Sequence, residues 1–487
     1  MNNITRNELN FKNIEREFYE IACEIAKGFM KNFLEELDEE LAKNRNKKEL
    51  RHKGKRQKTI KTLMGEVELK RNIYKTKNEK GEVSHIYLLD KELDFETIGT
   101  TSPNLVEKIA DEICNMSYRE TSKAIKELTN QTISHQGIWD IVQTLGEKQE
   151  QIEKQKIKEY KKGNLKGEKE VEVLYEEADG IALSMQQRGK KSKKKKQKKE
   201  MKVGIAYEGW EKRHLSSKEY KTVGKTAYAG YLTPKEFSDL RESKIAQKYN
   251  TDEIKYRILN GDGASWIKKG YECENRIFQL DPYHISESII RNVTDKKARK
   301  EIKKWLREGK LEKVYKRIEQ LKYESGGVVE EINKLKRLES YIKNNEEGIL
   351  SYKQIGELNE IKKPNDLEKR NLGTMERNIL EFAKRMKGAK SWSEKGATNL
   401  AKIISLKLEK NFKNNIERLV TSEISERLKE RFEQKIINPK DYLKKAKKKK
   451  VYPINRGEIP YKNYNLNNSR KAIKSLLNYK GFTELKI

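Results

Sequence analysis

Two aspartates and one glutamate combine residue type and local sequence in a way that could support chemistry. Asp179 in EEADGIAL and Asp262 in YRILNGDGAS are each followed by a glycine, so little side-chain bulk screens either carboxylate. Glu376 in NLGTMERN opens a predicted helix. Clustered carboxylates are hard oxygen ligands for Mg²⁺, and two ions about 4 Å apart can activate an attacking oxygen and stabilise a leaving oxygen at a phosphodiester. The three residues therefore indicate metal-dependent phosphodiester chemistry, provided that the fold brings them together.

Sequence spacing alone does not make these carboxylates neighbours. Asp262 follows Asp179 by 83 positions (262 − 179), and Glu376 follows Asp262 by 114 (376 − 262). The chain has 76 acidic residues from which such a trio could be chosen. The alternative, that these are ordinary solvated or capping acids, stays open until the elements that carry them are considered.

The composition favours a polyanionic partner. Lys and Arg number 108 against 76 Asp and Glu, and the resulting formal net charge of +32 favours nucleic acid before an anionic membrane. No apolar run approaches the roughly 18 residues of a membrane span, and the N-terminus has no secretory core, so we expect a soluble cytoplasmic, nucleoid-associated protein without membrane association. Three widely spaced cysteines argue against a disulfide framework and a Cys-rich zinc site.

The first 100 residues predict a long helix followed by strands. Residues 1–50 contain an amphipathic helix, which is either a packing helix or an oligomerisation surface. Its apolar stripe comprises Phe11, Ile14, Phe18, Ile21, Ile25 and Phe29. Residues 51–100 alternate polar and apolar side chains, which predicts a small β-hairpin module. Lys70, Arg71 and Lys75 are expected on its polar face.

Residues 101–150 carry start signals for three helices, at Ser102, Ser117 and Ser134. Three short helices that end on a compact one resemble a helix-turn-helix, whose last helix would present polar leading residues to the major groove of DNA. These candidate DNA-binding residues are Ser134, His135 and Gln136. Ile138, Ile141, Val142 and Leu145 would face inward. A helical bundle that serves only packing looks alike, and that alternative stays open.

Strand patterns dominate residues 165–285. The strand candidates are 170–185, 201–210, 226–233, 256–262 and 275–281. Three strands followed by alternating helices and strands favour a mixed sheet with helices on its faces, as in a ribonuclease-H-like domain. Residues 286–370 are helical almost throughout and predict a large all-helical insertion. Residues 371–412 would then complete the core, and 413–487 form a basic C-terminal region, which gives an α+β multidomain chain.

A lysine-rich run, 188–202, separates the first two predicted strands. It holds ten basic residues and one acidic residue, so it cannot pack into a core. Its lysines are predicted to hold DNA phosphates without reading sequence, although a solvated loop is the alternative. The lysines at its centre are Lys193, Lys194, Lys195 and Lys196.

Several blocks in order along the chain resemble bacterial insertion-sequence transposases of the ISLre type, which are related to the Mutator-like superfamily. The blocks are EEADG, LNGDGASWI, QLDPYHI and LGTMERNILEFAKRMK with SWSEKGA. The resemblance implies an Asp-Asp-Glu recombinase with a ribonuclease-H-like core, interrupted by a helical insertion before the Glu. It makes Asp179, Asp262 and Glu376 the catalytic carboxylates and the ligands of two Mg²⁺ (or Mn²⁺) ions.

The same resemblance assigns DPYH, with Asp281 and His284, to an Asp-x-x-His signature and so to an auxiliary role at the phosphate or metal site. A capping or core histidine is the alternative for His284. Glu394 in SWSEKGA is the rival to Glu376 as the third carboxylate, and GTMERN matches the family pattern better.

The implied function is transposition. Such an enzyme binds double-stranded DNA, both the terminal inverted repeats of its element and the target, and cuts paired ends as a homodimer or higher oligomer. A ribonuclease-H-like nuclease without transposition and a catalytically inactive DNA-binding relative are the alternatives.

Overall fold

The structure is a computed structural model that describes residues 10–77, 81–93, 100–186, 197–269 and 275–420. It is a mixed α+β protein. The described chain forms two compact units, the first within 1–109 and 120–135 with residue 420, and the second within 110–119 and 136–419. None of the described helices is long and apolar enough to cross a membrane.

The first unit packs a long helix on a three-stranded antiparallel sheet. Its leading elements are α1 (Phe11–Asn44), β1 (Arg51–Thr62), β2 (Gly65–Lys77), β3 (Val83–Ile86) and α2 (Leu88–Glu92), with sheet order β1-β2-β3. Apolar residues at helical steps on α1 meet those at alternate positions on the sheet, which is how each element buries one face. The buried cluster comprises Leu34, Leu37, Ile60, Val67, Leu69 and Leu89.

Arg71 does not lie on the polar face of this module, so that expectation is wrong. It is buried, and its Nε and Nη2 donate to Asp90 Oδ1 and Oδ2 at 2.6 and 2.9 Å. Strand alternation explains the position, since Arg71 stands two and four residues after the inward-facing Leu69 and Val67. The charge is accepted there because Asp90 neutralises it and the Tyr87 ring lies 3.7 Å from the guanidinium.

Three helices follow, α3 (Pro103–Ile113), α4 (Tyr118–Leu128) and α5 (His135–Lys161). The last is not the compact helix predicted, since it continues for 27 residues. Gly146 lies in its middle and does not end it, because the missing side chain allows close packing. An ideal Cβ there would lie 2.3 Å from the Asn399 Cβ.

The second unit is built on a five-stranded mixed sheet with order β10-β9-β4-β5-β8. Its strands are β4 (Val173–Ser184), β5 (Lys198–Tyr207), β6 (Gly209–Lys212), β7 (Tyr220–Val223), β8 (Thr226–Gly230), β9 (Tyr256–Gly261) and β10 (Arg276–Leu280). The first three strands of the sheet along the chain, β4, β5 and β8, pair antiparallel, and β6 and β7 form a separate hairpin. Strands β9 and β10 run parallel to β4. All five strands predicted in this region form within or close to their expected ranges.

Helices surround this sheet and form the insertion. They are α6 (Pro234–Lys248), α7 (Ser265–Lys268), α8 (Pro282–Asn292), α9 (Lys296–Arg307), α10 (Leu311–Glu324), α11 (Val329–Lys343), α12 (Met375–Met386), α13 (Glu394–Leu408) and α14 (Phe412–Val420). Helices α8 to α11 share one apolar core, which includes Leu335, Leu338 and Ile342 of α11. Val328 lies at the N-cap of α11 and is 52% exposed.

Candidate active site

Parallel pairing brings Asp179 and Asp262 to neighbouring strands. The pairing of β4 with β9 ends at Glu177 opposite Asn260, and each aspartate follows its paired residue by two positions. Both side chains are half-buried. Asp179 Oδ1 accepts a bond from its neighbour's backbone, Gly180 N–H, at 2.7 Å, and Asp262 Oδ1 accepts one from Ala264 N–H at 2.9 Å. Residues 83 positions apart thus meet because two parallel strands are in register.

The glycines that follow these aspartates are also required by packing, because a side chain at either position would collide with a neighbour. An ideal Cβ on Gly180 would lie 2.2 Å from Glu200 Oε1. Gly263 has a φ of +90° and faces Asn345, whose Oδ1 would lie 2.3 Å from a Cβ. The insertion helix α11 also reaches this turn, since the Tyr341 hydroxyl donates to the Asp262 carbonyl at 2.8 Å. The helical insertion therefore helps to fix the backbone that carries Asp262.

Asp281 and His284, the predicted auxiliary pair, make different contacts. Asp281 follows β10 and is buried, and it caps α8 by accepting a bond from Tyr283 N–H at 2.7 Å. His284 stands in the first turn of α8, where its Nε2 lies 3.8 Å from Asp179 Oδ2. The contact with Asp179 raises the pKa of His284 to about 9, so this imidazole carries a positive charge near neutral pH. His284 thus supplies positive charge directly beside the first carboxylate.

Glu376 lies in the first turn of α12 with an exposed side chain. Partial burial, followed by the negative charges of Asp281 and Asp179, raises the pKa of Glu376. Its rival Glu394 begins α13, where Lys199 Nζ lies 2.7 Å from Glu394 Oε2 and more than half of the glutamate side chain is exposed. The charges that act on Glu376 thus include those of Asp281, His284 and Asp179, whereas Glu394 is paired with a lysine.

Glu200 on β5 is an acidic neighbour that no motif selected. Burial, then the negative charge of Asp262 and, less strongly, that of Asp179, raises the pKa of Glu200. Glu200 is the one acidic residue in the lysine-rich run of 188–202, and that isolation is the signal that would have found it.

The donors fit a hard divalent cation by their chemistry, because carboxylate oxygens are the ligands that Mg²⁺ prefers. Burial and then the nearby charge of Asp179 raise the pKa of Asp262, as expected for carboxylates that repel one another. Their spacing does not complete a metal site: within the described ranges, no three His, Cys, Asp or Glu side chains are close enough together to hold an ion. Binding would require these side chains to close around the cation.

The predicted DNA-binding residues form two groups. Three of them lie at the start of α5, and the four lysines lie outside the described ranges. Ser134, His135 and Gln136 are exposed, and Gln136 Nε2 donates along the helix to Asp140 Oδ1 at 3.1 Å. The predicted inward face is buried, at Ile138, Ile141, Val142 and Leu145. An exposed polar start suits both DNA reading and a solvated helix end, so that role stays a prediction. The lysines Lys193, Lys194, Lys195 and Lys196 lie outside the described residues.

Comparison with known proteins relates the chain to proteins that are named only by their family. A UPF0236 protein of Caldanaerobacter subterraneus subsp. tengcongensis is 27% identical over 352 residues, which cover 71% of this chain and 69% of the relative. A second from that organism is 27% identical over 358 residues, 72% of this chain and 70% of the relative, and its name joins eleven gene designations. The UPF0236 protein in the vanSb 3' region of Streptococcus gallolyticus is 26% identical over 298 residues, 59% of this chain and 60% of that protein.

The model of an uncharacterised protein family, UPF0236, matches residues 4–423, which include all described residues of both units and every carboxylate of the site. The chain therefore belongs to the UPF0236 family.

Proposed function

We propose that this protein is the DNA transposase of an insertion sequence, which binds terminal inverted repeats and catalyses metal-dependent strand cleavage and strand transfer. The observation that carries the proposal is the parallel pairing of β4 with β9, which sets Asp179 and Asp262 at corresponding positions of neighbouring strands with His284 Nε2 3.8 Å from Asp179 Oδ2. The charge of Asp179 also acts on Glu376, which is far away in sequence. Repelling carboxylates raise the free energy of the folded state unless a cation balances them, so such a cluster is expected at a site that binds one.

The sheet supports a ribonuclease-H-like core. Its first three strands, β4, β5 and β8, pair antiparallel and are followed by β9 and β10, which run parallel to β4 and are separated by helical segments. This is the pattern that suggested such a core from sequence, and the helices α8 to α11 stand between the second aspartate and the glutamate. The transposase resemblance implies both features.

The side chains have distinct roles in this proposal. Asp179, Asp262 and Glu376 would hold the divalent ions, which supply Lewis-acid stabilisation of the attacking and leaving oxygens when bound. His284 would orient Asp179 and present positive charge to the scissile phosphate, and Asp281 would hold the start of α8 in place. Glu394 has no part in the chemistry.

Two further observations support a mobile element. The name of one relative joins eleven designations, as would be expected if its gene had been copied to new sites. The net charge of +32 suits a duplex DNA partner.

Because two DNA ends must be cut together, the proposal includes a homodimer or higher oligomer. Exposed apolar residues on α1 are a candidate interface: Phe11, Phe18 and Ile21.

A strand-transfer assay tests the proposal. Labelled duplexes that carry the DNA flanking the coding sequence would be incubated with the protein, Mg²⁺ and a supercoiled plasmid. Joining of label to the plasmid is the expected result. Cleavage without joining would favour a nuclease, and binding without cleavage would favour an inactive DNA-binding relative.

A further inference from the structure

Glu177 is a buried carboxylate two residues before Asp179 on β4. Strand alternation puts both side chains on the same face of the sheet, yet Glu177 is 0% exposed. A carboxylate buried in the interior is costly unless hydrogen bonds satisfy it. The hydrogen-bond partners of Glu177 therefore indicate its structural role.

Three of those partners are backbone amides at the start of α12, the helix that carries Glu376. The Glu177 carboxylate accepts bonds from Gly373 N–H at 3.1 Å, Thr374 N–H at 3.1 Å and Met375 N–H at 3.0 Å. The first amides of a helix have no partners within the helix, and Thr374, at the N-cap position, makes no side-chain capping bond. Glu177 thus caps α12 from a strand about 200 residues earlier in the chain.

The remaining donors connect the same carboxylate to the second aspartate's strand. Asn260 Nδ2 donates to Glu177 Oε2 at 3.2 Å and also to Asp281 Oδ2 at 2.8 Å. Tyr207 Oη donates to Glu177 Oε1 at 2.5 Å. Glu177 lies on β4 with Asp179. It is hydrogen-bonded to α12, which carries Glu376, and to Asn260 of β9, which precedes Asp262 by two positions.

We propose that Glu177 is a positioning residue, which holds the start of α12 against β4 and β9 so that Glu376 stays in register with Asp179 and Asp262. The inference rests on the proposed function, because it assigns Glu177 a task only if those three residues bind metal. Glu177 itself is fully buried and enclosed by hydrogen-bond donors. Residues that orient metal ligands typically change metal affinity or activity by 10- to 100-fold when they are replaced.

The test measures Mn²⁺ binding by titration calorimetry, and DNA cleavage as a function of Mn²⁺ concentration, for wild type and Glu177→Gln. Gln keeps the size of the side chain but replaces one acceptor oxygen with an N–H₂ group that faces the amides of α12. The half-saturating Mn²⁺ concentration is expected to rise by about 10- to 100-fold, with excess Mn²⁺ restoring much of the rate and DNA affinity unchanged. Glu177→Asp, which keeps the charge, should shift it less and serves if the Gln variant does not fold.

Glu176→Gln is the matched control. Its carboxylate is also buried on β4 but accepts from Arg257 Nε at 2.7 Å, on the other face of the sheet. This variant should lower the denaturation midpoint and leave the Mn²⁺ dependence unchanged. An unchanged Mn²⁺ dependence in both Glu177 variants, or an equal shift in Glu176→Gln, would overturn the positioning role alone. A wild-type protein without metal-dependent cleavage would remove the proposed function and this inference together.

Discussion

The second unit contains two groups of charged side chains that the fold treats in opposite ways. An ionic core, defined by Glu176, Arg241, Glu242 and Arg257, lies on one face of the sheet and is almost fully buried. A carboxylate edge, defined by Asp179, Asp262 and Glu376 with His284, lies where β9 ends and α12 begins. The two groups share a strand, since Glu176 and Asp179 both lie on β4, so their difference reflects their partners.

In the ionic core, each acid meets a guanidinium. Arg257 Nε donates to Glu176 Oε1 at 2.7 Å, and its Nη1 donates to Glu242 Oε2 at 2.6 Å. Burial alone would raise the pKa of Glu242, but Arg257 and its neighbours hold that pKa at about 2. At the carboxylate edge, burial and neighbouring acids raise the pKa of Asp262. The buried acids of the ionic core are thus neutralised by guanidinium groups, whereas the acids of the carboxylate edge repel one another.

The largest expected loss of stability comes from breaking the ionic core. Arg257→Met leaves two buried glutamates short of a cation and should lower the free energy of unfolding by about 3–5 kcal/mol. Urea denaturation at neutral pH measures it. Lys255→Met is the matched control, because the Lys255–Glu172 pair at 3.0 Å is largely exposed and should change stability by less than about 1 kcal/mol. Equal losses in the two variants would contradict the distinction.

Neutralising a residue of the carboxylate edge should reduce DNA cleavage without reducing the stability of the fold. Asp262→Asn removes a repelling charge, so stability should hold or rise slightly, while cleavage falls about 1,000-fold because the metals lose a ligand worth several kcal/mol in the transition state. Denaturation and cleavage assays on the same preparation measure both. Asp252→Asn, at an exposed aspartate, is the control. A folded Asp262→Asn enzyme with near wild-type cleavage would exclude Asp262 from the chemistry.

Acid should weaken the ionic core in a defined pH range. Glu242 has a folded-state pKa of about 2 against an ordinary value of 4.5, so its stabilising contribution is complete above 4.5 and is lost as pH falls toward 2. The loss attributable to this group is about 3 kcal/mol. Denaturation midpoints measured at several pH values should fall more steeply for wild type than for Glu242→Gln. Parallel curves would show that the pairing does not hold Glu242 ionised.

The smallest effect is expected at Glu394. Its pair with Lys199 is exposed, so Glu394→Ala should change stability by less than about 1 kcal/mol and leave the cleavage rate near that of wild type. Glu376→Ala should abolish cleavage under the same conditions. The reverse result in a cleavage assay would move the third carboxylate from Glu376 to Glu394 and transfer the surface pair into the site.

Local pattern was enough to predict the strands that carry the site. Burial on both faces of β9 accounts for the absence of strict polar and apolar alternation in its sequence. Its polar residues, Arg257 and Asn260, are buried against charged and hydrogen-bonding partners. The first turn of α12, with Glu376, was likewise readable. The length of α5 was not predicted: the expected compact helix continues through Gly146, whose missing side chain leaves room for Asn399.

The contacts of Glu177 with α12 could not be predicted from the sequence, because they join residues that are far apart in the chain. Glu177 reads as one acid among three in EEADG, and its amide partners lie about 200 positions later. An acid at an inward strand position is unusual enough to be noticed, because burial requires partners. Arg71 carried the same signal and was assigned to the wrong face, since its partner Asp90 belongs to a different element.

Mn²⁺ binding by the purified protein, measured by titration calorimetry, tests the central claim most directly. Wild type and Glu394→Ala should bind Mn²⁺ with the same affinity, and Asp179→Asn should bind at least about 10-fold more weakly, because a repelling carboxylate cluster is the site of the cation. Equal affinity in wild type and Asp179→Asn, or no binding by wild type, would contradict the claim that this carboxylate cluster binds a metal ion.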